Sequence, residues 1–308
     1  MPVILICGGS GLIGQRLTTM LIEKGYEVII LTHSPQKVRN AAGNPSYALW
    51  DPEKEAIDAG ILSRADYIIN LAGAGIAGKR WTAKRKKEIA DSRVQSGRTI
   101  VKALQQYDNK VKAVINSSAI GWYGEDDPAK TDKKFTEEDP PAPGFLGDTC
   151  NAWEESITPV KALGKRLVIL RTGIVLSNKG GALSEFAKPV KFGIAAILGS
   201  GKQVVSWIHI DDLCRIFLYA IENESLHGIY NAVAPLPADN KSLTIAIAKK
   251  MKGSFFITAH VTSFILKLML GELSTEVLKS TTVSSRKLRA IGFQFIYPSI
   301  EAAIQQLE

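Results

Sequence analysis

The chain has 308 residues, 45% of them hydrophobic and 22% charged, with a formal net charge of +8. Such apolar content supplies a sizeable core and excludes a disordered chain, and the length lies between one large domain and two modest ones. Cys7, Cys150 and Cys214 are odd in number and scattered without CxxC or Cys/His spacing, which argues against a disulfide framework or a metal site and for a reducing, cytoplasmic setting.

Apolar strand-like runs alternate with helical patterns from the first residues onward. VILIC is followed by a helix from Leu12 to Glu23, then EVIILT, DYIINLAG, a long helix from about Thr82 to Gln106, and VKAVINSS. Later come RLVILRTGIVL, the strand-to-helix turn WIHIDDLCRIFLYAI, and GIYNAV ending near Val233. This rhythm predicts an α/β fold of the doubly wound Rossmann type, a parallel sheet buried on both faces. After Ala234 the punctuation changes at PLPADN, and helical patterns run to the end. We therefore expect residues 1–176 and 204–233 to form the Rossmann domain, and residues 177–203 and 234–308 a smaller, mainly helical lobe. In WIHIDDL, Asp211 and Asp212 immediately precede an apolar helical run and are expected to serve as caps, with His209 a structural histidine.

The chain enters a strand at once, so no secretory leader is expected, and TSFILKLML, ending at Leu270, is too short and too broken by Lys267 to span a bilayer. No membrane partner is expected. Part of the excess charge lies in KRWTAKRKK, Lys79 to Lys87. A solvated helix face accounts for it, with a phosphate-bearing ligand as the alternative; nucleic acid would want more aromatic platform than Trp81, and none is expected as a partner.

The stretch ICGGSGLIG places Gly8, Gly11 and Gly14 where a strand turns into a helix, and Gly9 completes a second glycine pattern, with Ser10, Leu12 and Ile13 between them. Glycine there permits the tight turn and lets backbone approach a pyrophosphate, whose charge rests on the helix N-terminus. An acidic residue at the end of the next strand would select NAD. Here the tip reads LTHSPQK, with Thr32, His33 and Ser34 and then Lys37, and no carboxylate, so NADP is the expected cofactor.

GGSGLIG, NLAG, INSSAIGWYG, LRTGIVL and WIHIDDL resemble the extended short-chain dehydrogenase/reductase group. LAGAGIAGKRW, DSR, AWEE, GSGKQVVSWIHIDDL and RKLRAIGF resemble its atypical nucleoside-diphosphate-sugar-epimerase-like branch, which has its own small C-terminal domain. The resemblance implies that Gly8 to Gly14 hold the pyrophosphate, Thr32 and His33 sit at the adenosine ribose, and Leu71, Ala72 and Gly73 line the cofactor. It also implies cofactor contacts for Glu88 and Arg93, against the alternative of a solvated helix face. Val175 is placed toward the nicotinamide, against simple core packing. His33 departs from the arginine common at its position.

The wider group uses a tyrosine and, four residues on, a lysine that lowers its pKa. Counting back from Glu154 puts Leu146 and Cys150 at those positions, so the usual pair is absent. Tyr123, with Ser117 or Ser118 upstream at a strand end, is the nearest substitute. Without a lysine a tyrosine remains a better proton donor than base at neutral pH. The sequence thus suggests an NADP(H)-binding oxidoreductase or epimerase acting on a small carbonyl or sugar-nucleotide-type substrate of unknown identity. A catalytically weak NADP(H)-sensing regulatory or interaction protein is the alternative, and the sequence leaves the oligomeric state open.

Overall fold

The computed structural model describes residues 1–40, 43–129 and 133–306. In chain order, β1 (Val3–Cys7), α1 (Leu12–Glu23), β2 (Glu27–Thr32), α2 (Pro35–Asn40), β3 (Ser46–Asp51), β4 (Ala56–Ile57), α3 (Ala59–Arg64), β5 (Tyr67–Asn70), α4 (Ala83–Gln106) and β6 (Ala113–Ala119) form the first half. They are followed by α5 (Phe145–Ile157), β7 (Arg166–Thr172), β8 (Ile174–Ser177), β9 (Gly180–Gly181), α6 (Ala182–Lys191), β10 (Ile194–Leu198), β11 (Val204–Val205), β12 (Trp207–His209), α7 (Ile210–Glu222) and β13 (Gly228–Ala232). The remainder carries β14 (Ala238–Asp239), α8 (Asn240–Lys252), β15 (Ile257–Val261), α9 (Ser263–Leu270), α10 (Leu273–Leu278), α11 (Arg286–Ala290) and α12 (Ile300–Gln306).

The main sheet has the order β13-β7-β6-β5-β1-β2-β3-β4, parallel throughout except for the antiparallel edge strand β4. Its strands alternate between two cores. Ile4 and Ile6 point to the side of α1 and α7, where Leu17, Leu213 and Phe217 are buried, and Val3, Leu5 and Cys7 point to the side of α3 and α4, with Leu62, Ile100 and Leu104. Apolar side chains on both faces of every inner strand explain why these segments read as continuous hydrophobic runs rather than alternating ones.

Residues 177–203 and the later segment meet. β10 pairs in parallel with β15, and Leu183, Val190 and Ala195 share a core with Leu243, Ile247, Ala248 and Ile304. The last segment also returns to the Rossmann body, because Leu288 and Phe293 are buried in the core under α7. The C-terminal end of the sheet and this lobe together frame the candidate site.

Candidate functional site

The turn from β1 into α1 is shaped by contacts that only glycine permits. Gly8 has φ +81, and a Cβ on it would lie 2.7 Å from the Leu71 carbonyl carbon; one on Gly14 would lie 2.5 Å from the Gly8 carbonyl oxygen. A Cβ on Gly9 would meet the Ile30 side chain at 2.8 Å. Gly11 differs: its nearest neighbour would be the Gly8 carbonyl at 3.4 Å, its backbone is exposed, and it opens α1 with no side-chain cap and no acidic residue in the first turn. Protein therefore fills the space behind the loop, while the outer face offers bare N–H groups at a helix N-terminus, the arrangement an anionic pyrophosphate fits. Ser10 is exposed beside it, its carbonyl accepting from Gln15 Nε2 at 2.8 Å.

At the end of β2, Thr32 Oγ1 accepts from the Ser34 N–H at 3.1 Å and is thus partly committed to its own turn. His33 is exposed, with its ring 5.8 Å from that of Trp50. Lys37 and Arg39 follow on α2, which gives this tip a cationic surround. Beside it lies a cleft of about 650 Å³ lined by His33, Leu49, Trp50, Asp51, Glu53 and Asp58 among others. Sequence reasoning missed the contribution of β3 to this cleft. The signal was a tryptophan followed by an aspartate at a strand end.

Leu71, Ala72 and Gly73 leave β5 directly beneath the glycine turn. Asn70, fully buried, donates to Asn116 Oδ1 at 2.7 Å and Ser96 Oγ at 3.1 Å and accepts from the Ala72 N–H at 3.2 Å, which fixes where this loop departs. Arg93 holds the same loop from α4, donating to the carbonyls of Ala74 at 3.0 Å and Ile89 at 2.9 Å, with its guanidinium 5.1 Å from the Trp153 ring. It is half-buried, and burial lowers its pKa. Glu88 instead sits exposed in an ion pair with Arg85 at 2.7 Å. The two α4 residues are thus placed differently, Arg93 against the loop and Glu88 outside it.

Val175 and Leu12 come together on the far side of the turn. A Cβ on Gly181, at the start of α6, would lie 3.0 Å from Leu12 Cδ2 and 3.7 Å from the Val175 carbonyl. Leu12, Ile13, Leu71 and Val175 are all half-buried against the same core.

The hydroxyls at the sheet edge belong to a buried network. Ser118 Oγ donates to Glu154 Oε1 at 2.7 Å; Glu154 is gripped by Arg171; Arg171 Nη1 donates to the Tyr123 hydroxyl at 3.0 Å; and that hydroxyl donates to Asn231 Oδ1 at 2.7 Å. Asn231 closes the chain by donating to the Ser284 carbonyl at 3.2 Å. Tyr123 is 0% exposed and stacked on Phe135 at 5.2 Å, and burial pushes its pKa up to about 12. The structure therefore does not bring its hydroxyl to an open surface. Ser117, also buried, points the other way, and among the described residues its hydroxyl makes a single weak contact, 3.4 Å to the Ser118 carbonyl. Glu154 and Arg171 escaped sequence reasoning as site residues, although Arg171 is a charged residue at the end of the apolar run RLVIL.

Leu146 and Cys150 occupy one turn each of α5 against Gly121, where a Cβ would lie 3.2 Å from Leu146 Cβ and 3.7 Å from Cys150 Sγ. The thiol donates weakly to the Ala119 carbonyl at 3.6 Å, and burial pushes its pKa up to about 11. An inert thiol thus fills the space a lysine would need. The cap of α7 is also a correction. His209, not either aspartate, occupies the N-cap, its Nδ1 accepting from the Asp211 N–H at 3.1 Å. Asp211 and Asp212 lie two and three positions past the cap; Asp211 bonds Arg16 of α1 at 2.5 Å, and Asp212 accepts from the N–H groups of Ile296 and Tyr297 at 2.9 Å. Among the described residues no cluster of three or more His, Cys, Asp or Glu is arranged to hold a metal.

The sequence profile of the NAD dependent epimerase/dehydratase family matches residues 4–232, and that of a domain of unknown function, DUF1731, matches residues 261–307. Epimerase family protein SAR0825 of Staphylococcus aureus is 35% identical over 304 residues, 98% of each chain. Epimerase family protein YfhF of Bacillus subtilis is 35% identical over 305 residues, 99% of this chain and 97% of that one. Among solved structures, human epimerase family protein SDR39U1 (isoform 2) with NADPH superposes with a TM-score of 0.86 at 27% identity, covering 99% of this chain and 98% of that one.

Proposed function

Because this chain belongs to the NAD dependent epimerase/dehydratase family, as an extended short-chain dehydrogenase/reductase-like epimerase, we propose that it binds NADPH across the ends of β1, β2 and β5. There it reduces or isomerises a small carbonyl or sugar-nucleotide-type molecule held between the sheet edge and the C-terminal lobe. The observation that carries the reading is the glycine turn, filled behind by protein and open only at Gly11. Preference for the 2′-phosphate rests on a β2 tip with His33 and Lys37 and no carboxylate, and on the NADPH bound by the human relative. The setting we assign is cytoplasmic, in keeping with three free thiols.

Bound NADPH supplies the hydride. The chain's own part is to seat the pyrophosphate on the N–H groups of α1, to place Thr32 and His33 at the ribose, and to wall the cofactor with Leu71, Ala72 and Val175. Ser117 is the hydroxyl assigned to the substrate, since among the described residues its hydroxyl makes only the weak bond to Ser118. Ser118 and Tyr123 act as positioning residues through Glu154 and Arg171, which tie β6, β7 and α5 into one unit.

A second reading, an NADP(H)-sensing protein with little turnover, is favoured by one observation: Leu146 and Cys150 stand where the family's proton-transfer pair would be. NADPH oxidation across a panel of aldehydes, ketones and nucleotide sugars, together with isomerisation of the sugars, separates the two. Turnover on any of them supports the enzyme; tight binding without turnover supports the sensor.

A further inference from the structure

Helix α9 turns its apolar side outward. Phe264, Ile265, Leu268 and Met269 are 76%, 44%, 69% and 65% exposed, whereas Leu266 is buried at 4%. At about 100° per residue these four make one continuous stripe about 140° wide, built of two i,i+4 pairs, with Leu266 and the half-buried Leu270 on the opposite side. Single exposed apolar residues are ordinary, but four side by side on a two-turn helix call for a partner.

The rim of this stripe is cationic. The C-terminal end of α9 abuts the basic stretch that runs into α4: the Arg80 guanidinium donates to the Leu268 carbonyl, and Lys86 of α4 bonds Glu272, just past α9, at 2.9 Å. Arg80 and Lys267 are exposed there, and Lys79, Lys84 and Lys87 are exposed along the stretch to which Arg80 and Lys86 belong. The neighbouring carboxylates already have partners, Glu276 with Lys279 at 2.6 Å, Glu88 with Arg85 at 2.7 Å and Asp91 with Lys87 at 2.5 Å. Among the described residues Lys79, Lys84 and Lys267 make no ion pair; Lys79 and Lys84 stand near Glu88, which Arg85 already pairs, so net positive charge is left for an external anion.

The geometry points to this face docking on an anionic phospholipid bilayer surface, with the α9 stripe entering the headgroup boundary and the lysines meeting lipid phosphates. A second copy fits less well, because a two-fold contact would set one cationic rim against another. From the sequence no membrane partner is expected, on the ground that no segment looks able to span a bilayer. No described helix is long and apolar enough to cross a membrane, but a helix lying in the plane of the interface needs no such length. The inference stands apart from the cofactor assignment, so either can fail alone.

Flotation of the full chain with vesicles tests it, comparing phosphatidylcholine alone with an equimolar mixture of phosphatidylcholine and phosphatidylglycerol. Flotation is expected with the anionic vesicles, about tenfold weaker without phosphatidylglycerol, and reversed by high salt. Leu268→Glu with Met269→Glu should weaken it about tenfold while leaving the thermal midpoint and NADPH affinity unchanged, because both side chains are exposed. Lys79→Glu with Lys84→Glu should weaken it in the same way. Absence of flotation, or equal flotation of wild type and the Leu268→Glu variant, overturns the proposal. A self-associated species that the same variant dissociates, without vesicle binding, overturns it too and makes the face a contact between copies.

Discussion

Arg171 and Glu154 form a two-pronged ion pair inside the protein, Nε to Oε1 at 2.9 Å and Nη2 to Oε2 at 3.0 Å, with only 1% and 5% of the residues exposed. The guanidinium lies 3.6 Å from the centre of the Trp122 ring, so its flat face is covered as well. A buried pair of this kind is costly to break from one side, because the remaining charge loses its partner without regaining water. Glu154→Gln or Arg171→Met should each lower stability by about 3–5 kcal/mol. Combining Glu154→Gln with Arg171→Met should cost less than the sum. Urea unfolding of the singles and the double checks this, and strict additivity would show that the two residues are not coupled.

Alkaline stability follows from the same network. Burial raises Tyr123 to about 12 and Cys150 to about 11, above their ordinary values of 10 and 9. The unfolded chain therefore loses these protons first, so the associated stability is complete below pH 9 and disappears as the pH climbs through the folded values. Tyr123→Phe should flatten that loss between pH 10 and 12, and at neutral pH should lower stability by about 1–3 kcal/mol as Asn231 and Arg171 lose a partner. As a positioning residue it should leave turnover within about tenfold. A loss of about a hundredfold or more would instead identify its hydroxyl as the proton donor.

Two glycines of one loop should respond in opposite ways. Gly14→Ala forces a Cβ to 2.5 Å from the Gly8 carbonyl and 2.6 Å from Gly9 Cα, a clash with backbone that has no room to yield. It should lower the thermal midpoint whether or not cofactor is present. Gly11→Ala meets only the Gly8 carbonyl at 3.4 Å and should leave the fold intact. Differential scanning fluorimetry with and without NADPH separates the two effects, and equal midpoints for both variants would contradict the cradle.

Much of the architecture is legible in the sequence because its signals are local. α1 runs from Leu12 to Glu23 as the glycine turn and apolar period predict, and α4 begins at Ala83 behind a Thr82 cap. The two-residue strands β4, β9, β11 and β14 have no period to read. The cap of α7 was hidden because aspartates in a first turn resemble caps, and only backbone geometry shows that His209 fills the N-cap position. Glu154 and Arg171 lie 17 residues apart on different elements, so no spacing rule joins them. The apolar run of α9 reads only as too short and too broken by Lys267 to span a bilayer, and its outward stripe depends on how the lobe is placed.

Cofactor choice should move with one exposed side chain. His33→Asp places a carboxylate at the tip of β2, where it would repel a 2′-phosphate and accept from a 2′-hydroxyl. NADPH affinity should fall by about tenfold or more, and NADH should gain. His33→Arg should tighten NADPH instead, through a bidentate grip. Parallel affinities for both variants check this; unchanged values would remove His33 from the site.

The central claim is met most directly by titrating the protein with NADPH and NADH in parallel, following nicotinamide fluorescence, with Gly11→Asp as the variant that sets a negative charge against the pyrophosphate. The account predicts tight NADPH binding, weaker NADH binding, and loss of both in a Gly11→Asp protein that still unfolds at the wild-type temperature. Failure of the wild type to bind either nucleotide, or undiminished binding by Gly11→Asp, would contradict it.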